Sequence, residues 1–147
     1  MLLKNEGDTE KLAKRLVKLS KKDNAVICLN GDLGSGKTTF TRYFIRNFFK
    51  SFEIKEIQSP TFTLLQVYEH EGNTINHYDF YRLKNSSELF ELNFSEAVTD
   101  DVCLIEWSDK FEEILPIDRI EINFQIKSKV SRSVQIALRG KFKNQKY

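Results

Sequence analysis

Gly31-Asp32-Leu33-Gly34-Ser35-Gly36-Lys37-Thr38 stands between an apolar run, Ala25-Val26-Ile27-Cys28-Leu29, and a segment in which Phe40, Phe44 and Phe48 recur at i, i+4 spacing. The run has strand length and no polar face, as expected for a strand buried on both sides of a parallel sheet. The phenylalanine spacing predicts a helix from Lys37 to about Phe49 with one apolar face. The octapeptide therefore leaves a buried strand and opens a helix, and it fits the pattern G-x-x-x-x-G-K-[ST]. Gly31, Gly34 and Gly36 let the backbone close on an anion without a Cβ in the way. Successive N–H groups and the helix N-terminus present partial positive charge. Lys37 has the reach for the β- and γ-phosphates of a bound nucleotide, and Thr38 offers a hydroxyl to Mg²⁺. A phosphate-binding loop (P-loop) for a nucleoside triphosphate with magnesium is the expectation.

Phosphoryl chemistry also needs carboxylates to hold the metal and orient water. Glu106 directly follows the apolar run Val102-Cys103-Leu104-Ile105, the layout of a Walker B strand. Asp79 lies in His77-Tyr78-Asp79-Phe80-Tyr81-Arg82, near the end of a predicted strand. Alone, either acid reads as a solvated strand end; beside a P-loop both become candidates for the metal and the water. The guanine-reading element N-K-x-D does not occur in the sequence, so ATP is preferred to GTP.

Outward from this centre, Asp8 or Thr9 is positioned to cap a helix through about Ser20, with Leu12, Leu16 and Leu19 on one face. Residues 62–68 and 74–81 read as strands joined by Glu71-Gly72-Asn73, an antiparallel hairpin. Asn85 with Glu88 three places on forms a capping-box pattern for a short helix through Leu92. Ser108 is placed to cap another that ends before Pro116. Ile120, Ile122, Phe124 and Ile126, then Val134, Ile136 and Leu138, alternate as a closing strand pair. The expected fold is an α/β, P-loop NTPase-like three-layer sandwich with a mixed sheet and antiparallel hairpins. It forms one domain over residues 1–140, followed by a basic tail, 141–147, expected to be disordered.

The chain has 147 residues, with Lys+Arg 23 against Asp+Glu 21 and a formal charge of +2. This balance argues against a protein that coats nucleic acid, which normally carries a strong basic excess. No apolar run approaches the ~20 residues of a membrane span, and Met1-Leu2-Leu3-Lys4-Asn5-Glu6 turns polar too soon for a signal peptide. Cys28 and Cys103 each sit in an apolar run and read as reduced, buried thiols. The cytoplasm is the expected compartment, with no membrane partner.

Gly31-Asp32-Leu33-Gly34-Ser35-Gly36-Lys37-Thr38-Thr39-Phe40, Ser59-Pro60-Thr61-Phe62-Thr63-Leu64, His77-Tyr78-Asp79-Phe80-Tyr81-Arg82-Leu83 and Leu104-Ile105-Glu106-Trp107 occur in this order. The series resembles the TsaE (formerly YjeE) family, the ATPase component of bacterial tRNA threonylcarbamoyladenosine synthesis. The resemblance runs from the first helix to Arg139-Gly140. It implies a P-loop α/β fold and weak ATP hydrolysis, with TsaD and TsaB as partners and tRNA met indirectly through their complex. The partners install threonylcarbamoyl on the adenosine beside the anticodon of tRNAs that read codons beginning with A. On this chain the resemblance implies that Lys37 and the backbone of Asp32, Leu33, Gly34, Ser35, Gly36, Thr38 and Thr39 hold the phosphates. It makes Thr38 a Mg²⁺ ligand, Asp79 and Glu106 the acids at metal and water, and Thr61 a switch residue near the γ-phosphate. Ser35 replaces a frequent Ala, Phe80 a frequent Leu, and Asn93 a usual Gly in a turn where Asn tolerates left-handed geometry.

Other residues have plainer readings. Trp107 fits a place near the nucleotide as well as one in the core or at its rim. His77 reads as a hydrogen bond that orders the hairpin, and Arg82 as a structural salt bridge rather than an arginine finger. Lys14, Arg15, Lys18, Lys21 and Lys22 read as a solvated helix face, with an acidic partner or tRNA as the sharper alternative. Two rival functions remain open at this point: a small-molecule P-loop kinase, and a nucleotide-sensing adaptor that does not hydrolyse.

Overall fold

A computed structural model describes residues 1–50, 54 and 56–147. Among these residues seven strands form one sheet: β1 (Leu2–Leu3), β2 (Val26–Asn30), β3 (Leu65–His70), β4 (Asn73–Asp79), β5 (Val102–Glu106), β6 (Ile120–Ile126) and β7 (Arg132–Leu138). Their spatial order is β1-β7-β6-β2-β5-β4-β3. The four central strands, β6, β2, β5 and β4, run parallel, and β7, β1 and β3 join antiparallel at the edges. This is the mixed sheet of an α/β, P-loop NTPase-like fold.

β2 and β5 are the continuous apolar runs, and every residue of β5 is buried. Strand alternation divides their side chains between two layers. On one face Ile27, Leu29 and Leu104 pack with Leu12 and Leu16 of helix α1 (Glu6–Lys22) and with Phe40 and Phe44 of helix α2 (Lys37–Phe49). On the other, Val26, Cys28, Cys103 and Ile105 meet Tyr78, Phe80 and Phe94, the last from helix α3 (Phe94–Asp100). Helices thus cover both faces, which makes three layers.

Several boundaries differ from the sequence reading. Asn5, not Asp8 or Thr9, caps α1: its side chain accepts the Asp8 N–H at 3.2 Å. The first hairpin strand begins at Leu65 rather than Phe62, because the chain turns before it. Leu64 has φ 66° and its N–H bonds the Pro60 carbonyl at 2.8 Å, and Phe62 is left 79 % exposed. The second strand stops at Asp79, and the Phe80 N–H crosses to the Glu106 carbonyl at 3.0 Å. The capping box of Asn85 and Glu88 is present, but it opens a 3-10 helix, Ser86–Leu92. Asn93 follows at φ 52°, the left-handed turn expected of it, and α3 then starts at once. The tail expected to be disordered is anchored instead. Gly140–Phe142 forms a 3-10 turn, and Phe142, the apolar residue among its lysines, is fully buried. Among the described residues no helix is long and apolar enough to cross a membrane.

Parallel alignment fixes where chemistry gathers. β2, β4 and β5 all end on one edge of the sheet, and Glu106 stands in register with Leu29 on one side and Asp79 on the other. In open α/β sheets ligands bind in the crevice outside these carboxyl ends.

Candidate functional site

The P-loop leaves β2 at Gly31, where φ is +145° and a Cβ would fall 2.6 Å from Ser35 Oγ and 2.7 Å from the Phe124 carbonyl. Only glycine fits there. Gly36, at φ 111°, turns the chain into α2, and no side chain caps that helix. Its first N–H groups therefore have no side-chain partner and face the crevice, the usual seat of an anion. The loop borders a cavity of about 270 Å³ that residues 33–39 line on one side. Lys37 Nζ donates to the carbonyls of Gly31 (2.5 Å) and Asp32 (3.0 Å) and lies 4.1 Å from the centre of the Trp107 ring. Asp32 thus serves Lys37 through its carbonyl and does not line the cavity.

The opposite wall carries the acids. Strand alternation puts His77 and Asp79 of β4 on the same face as Leu104 and Glu106 of β5, the face that α2 covers. Thr38, in the first turn of α2, directs its hydroxyl to Glu106, 3.0 and 3.1 Å from the two carboxylate oxygens. His77 Nε2 lies 3.0 Å from Glu106 Oε1, and because a carboxylate only accepts, that nitrogen is the donor. Asp79 Oδ2 accepts the hydroxyls of Ser59 and Thr61, the latter at 2.9 Å, while Oδ1 accepts the Tyr81 N–H at 2.8 Å. Lys37 and Thr38 of the P-loop motif, Asp79 and Glu106 at their strand ends, and Thr61, taken from the family resemblance, all border this one cavity.

Three of these side chains are deeply buried: Lys37 is 5 %, Glu106 2 % and Asp79 1 % exposed. Burial lowers the Lys37 pKa, and the neighbouring Glu106, Asp79 and Asp32 carboxylates pull it back up. Two buried carboxylates facing one buried ammonium leave an excess of negative charge. A hydroxyl and two carboxylates are hard oxygen donors, a set that suits magnesium completed by phosphate or water oxygens. Among the described residues no group of three His, Cys, Asp or Glu forms a closed cage for a metal.

Ser59 and Arg132 were assigned no role from the sequence, and His77 was assigned a different one. Ser59 and His77 each stand two residues before a selected residue, Thr61 and Asp79, and period-two spacing was the available signal for His77. Its bond goes to Glu106, so it orders the acid rather than the hairpin. Arg132, at the start of β7, donates to the carbonyls of Gly34 (3.0 Å) and Ser35 (3.1 Å), nearly a hundred residues away. No local pattern announces that contact. Arg82 makes a cation–π contact, its guanidinium 4.0 Å from the Phe62 ring centre, and among the described residues it forms no salt bridge of the kind expected. Trp107 is a rim aromatic beside the loop, its ring 4.9 Å from that of Tyr81.

The family model for the threonylcarbamoyl adenosine biosynthesis protein TsaE matches residues 3–134. This chain belongs to the TsaE family. A curated TsaE relative from Rickettsia felis is 47% identical over 126 residues, covering 86% of this chain and 72% of its own. One from Aquifex aeolicus is 35% identical over 133 residues, covering 88% and 92%. Both are named as tRNA threonylcarbamoyladenosine biosynthesis proteins. The crystal structure of Bacillus subtilis YdiB superimposes with a TM-score of 0.69 at 28% identity, over 95% of this chain and 84% of that one. The TsaE match spans all four motifs, from the P-loop through Glu106.

Proposed function

We propose that this TsaE-family chain is a cytoplasmic Mg²⁺-dependent ATPase, slow by itself, that works with TsaD and TsaB. In that setting it supports threonylcarbamoylation of the adenosine beside the anticodon of tRNAs. The observation that carries the reading is the facing pair of walls: an uncapped α2 N-terminus with Lys37 on one side, and Glu106, bonded to Thr38, with Asp79 on the other.

The backbone amides of residues 33–39 and the Lys37 ammonium hold the phosphates. Thr38 Oγ1, Glu106 and Asp79 are the oxygens that would hold Mg²⁺, which neutralises charge on the phosphates when bound. His77 fixes the orientation of Glu106, and Ser59, Thr61 and the Tyr81 amide fix that of Asp79. A carboxylate held this way is placed to orient the attacking water and accept its proton. Arg132 braces the loop through the Gly34 and Ser35 carbonyls.

The test is nucleoside mass spectrometry of tRNA from cells depleted of this protein and complemented with the wild-type chain or with Lys37→Ala. Threonylcarbamoyladenosine should fall on depletion and return with the wild type alone. Undiminished modification after depletion would overturn the proposal.

A further inference from the structure

The side of the molecule formed by α1, α2 and the C-terminal turn has a charge out of keeping with the whole. A groove of about 900 Å³ along α1 and α2 is lined by Lys14, Lys18, Lys21, Arg46 and Lys50, and among the described residues Glu10 is the acid in its lining. Glu10 already pairs with Lys14 at 2.8 Å. A second depression shares Lys18 and adds Arg15, Lys22 and Lys146. Among the described residues the linings of these two depressions carry eight basic side chains and one acid, with Glu6 and Asp23 at their margins, bonded to Tyr43 and Gln145. A nearly neutral protein carries one strongly positive side.

The apolar face of α1 is spent on the core, with Leu12, Leu16 and Leu19 buried. Lys14, Lys18 and Lys22 are exposed, so the core has no use for their charge. At a rise of about 1.5 Å per residue, Lys14, Lys18 and Lys21 succeed one another every ~4.5–6 Å along the helix. Six of the eight cations are lysines. Interface cores between proteins are depleted in lysine and anchored by aromatics and arginine. Flexible ammonium groups strung along a groove suit a regular polyanion, where each neutralised phosphate releases counterions. The face is separate from the P-loop: Lys50 lies at the far end of α2, about 20 Å from Lys37 by helix rise.

We propose that this face binds the phosphate backbone of RNA, which gives the chain a direct contact with tRNA. The contact goes beyond the ATPase reading, in which tRNA is met only through the partners, and it does not require nucleotide. The experiment measures binding of the full chain to an unmodified tRNA transcript by fluorescence anisotropy over a series of salt concentrations. Two triple variants accompany the wild type: Lys14→Gln/Lys18→Gln/Lys22→Gln on the face, and Lys4→Gln/Lys84→Gln/Lys127→Gln elsewhere, with the same change in net charge. All six positions are exposed, so both variants keep the fold. The face variant should bind at least about tenfold more weakly, with the log–log salt slope reduced by roughly 2–3, while the control stays near wild type. Equal losses in both variants, no binding of tRNA by the wild type, or binding of an acidic partner protein by this face without RNA would each overturn the proposal. Lys37→Ala should bind tRNA as the wild type does, which separates this result from any failure of the nucleotide site.

Discussion

The hydroxyl of Thr38 lies 3.0 and 3.1 Å from the two carboxylate oxygens of Glu106, across 68 residues of chain. One residue opens the helix that leaves the P-loop, and the other closes the neighbouring parallel strand. The bond joins the phosphate wall of the crevice to its acid wall, and His77 holds the same carboxylate from behind. Two oxygen donors that a magnesium ion would share are therefore already in contact.

Glu106→Gln keeps the shape and one acceptor oxygen of the side chain but loses its charge and its basicity. Hydrolysis of ATP, measured as phosphate release in single turnover, should fall by about 10²-fold or more, with ATP still bound. Unchanged hydrolysis would remove Glu106 from the chemistry.

Arg132→Ala takes two charged donors from the Gly34 and Ser35 carbonyls and leaves the loop less fixed. Nucleotide affinity, measured by titration calorimetry, should weaken by roughly tenfold, equivalent to about one charge-assisted hydrogen bond. Arg132→Lys should recover little, because a point charge cannot serve both carbonyls at the Arg geometry.

Gly31→Ala tests the bend itself. A methyl group at φ +145° meets Ser35 Oγ and the Phe124 carbonyl. The expected cost is on the order of 2–3 kcal/mol, or a melting point roughly 5–10 °C lower for a chain of this size. A melting point within a degree of wild type would show that the loop relaxes freely.

Alkaline pH should weaken the fold through its buried thiols. Burial raises the Cys28 pKa from 9.0 to about 12 and also raises those of Cys103 and Tyr78. Between about pH 9 and 12 the unfolded chain releases the Cys28 proton while the folded chain keeps it, so stability falls as pH rises. Lys37 acts in the opposite sense, since its lowered pKa lets the folded chain lose that proton first. Melting curves from pH 8 to 11 should show the net decline, with a shallower slope in Cys28→Ala. Neither thiol should react with a disulfide reagent at pH 8 until denaturant is added.

What could be read from the sequence was local. The P-loop, α2 with its bounds Lys37–Phe49, and Glu106 at the end of an apolar run depend on neighbours a few positions away. The pairing of Asp79 with Glu106 needed one further inference, that both strands run parallel and stop at the same edge. Arg132 on Gly34 is a product of register and packing across the sheet, for which a single sequence offers no pattern, and His77 on Glu106 had only its two-residue spacing from Asp79 as a signal. The start of β3 was misplaced because Phe62 and Thr63 favour strands by composition, while the turn at Pro60 and the left-handed Leu64 decide otherwise. The tail was misjudged because its lysines outnumber the single phenylalanine that docks it.

The central claim is that the backbone amides of one loop, completed by Lys37, grip a triphosphate. Thermal melting of the wild type and of Lys37→Ala, each with and without ATP and Mg²⁺, tests it most directly. At about a hundred times the dissociation constant, ATP should stabilise the wild type by ~2.7 kcal/mol, a rise of roughly 5–10 °C, and should leave Lys37→Ala unmoved. An equal ATP-induced rise in both proteins would place the nucleotide elsewhere and contradict the account.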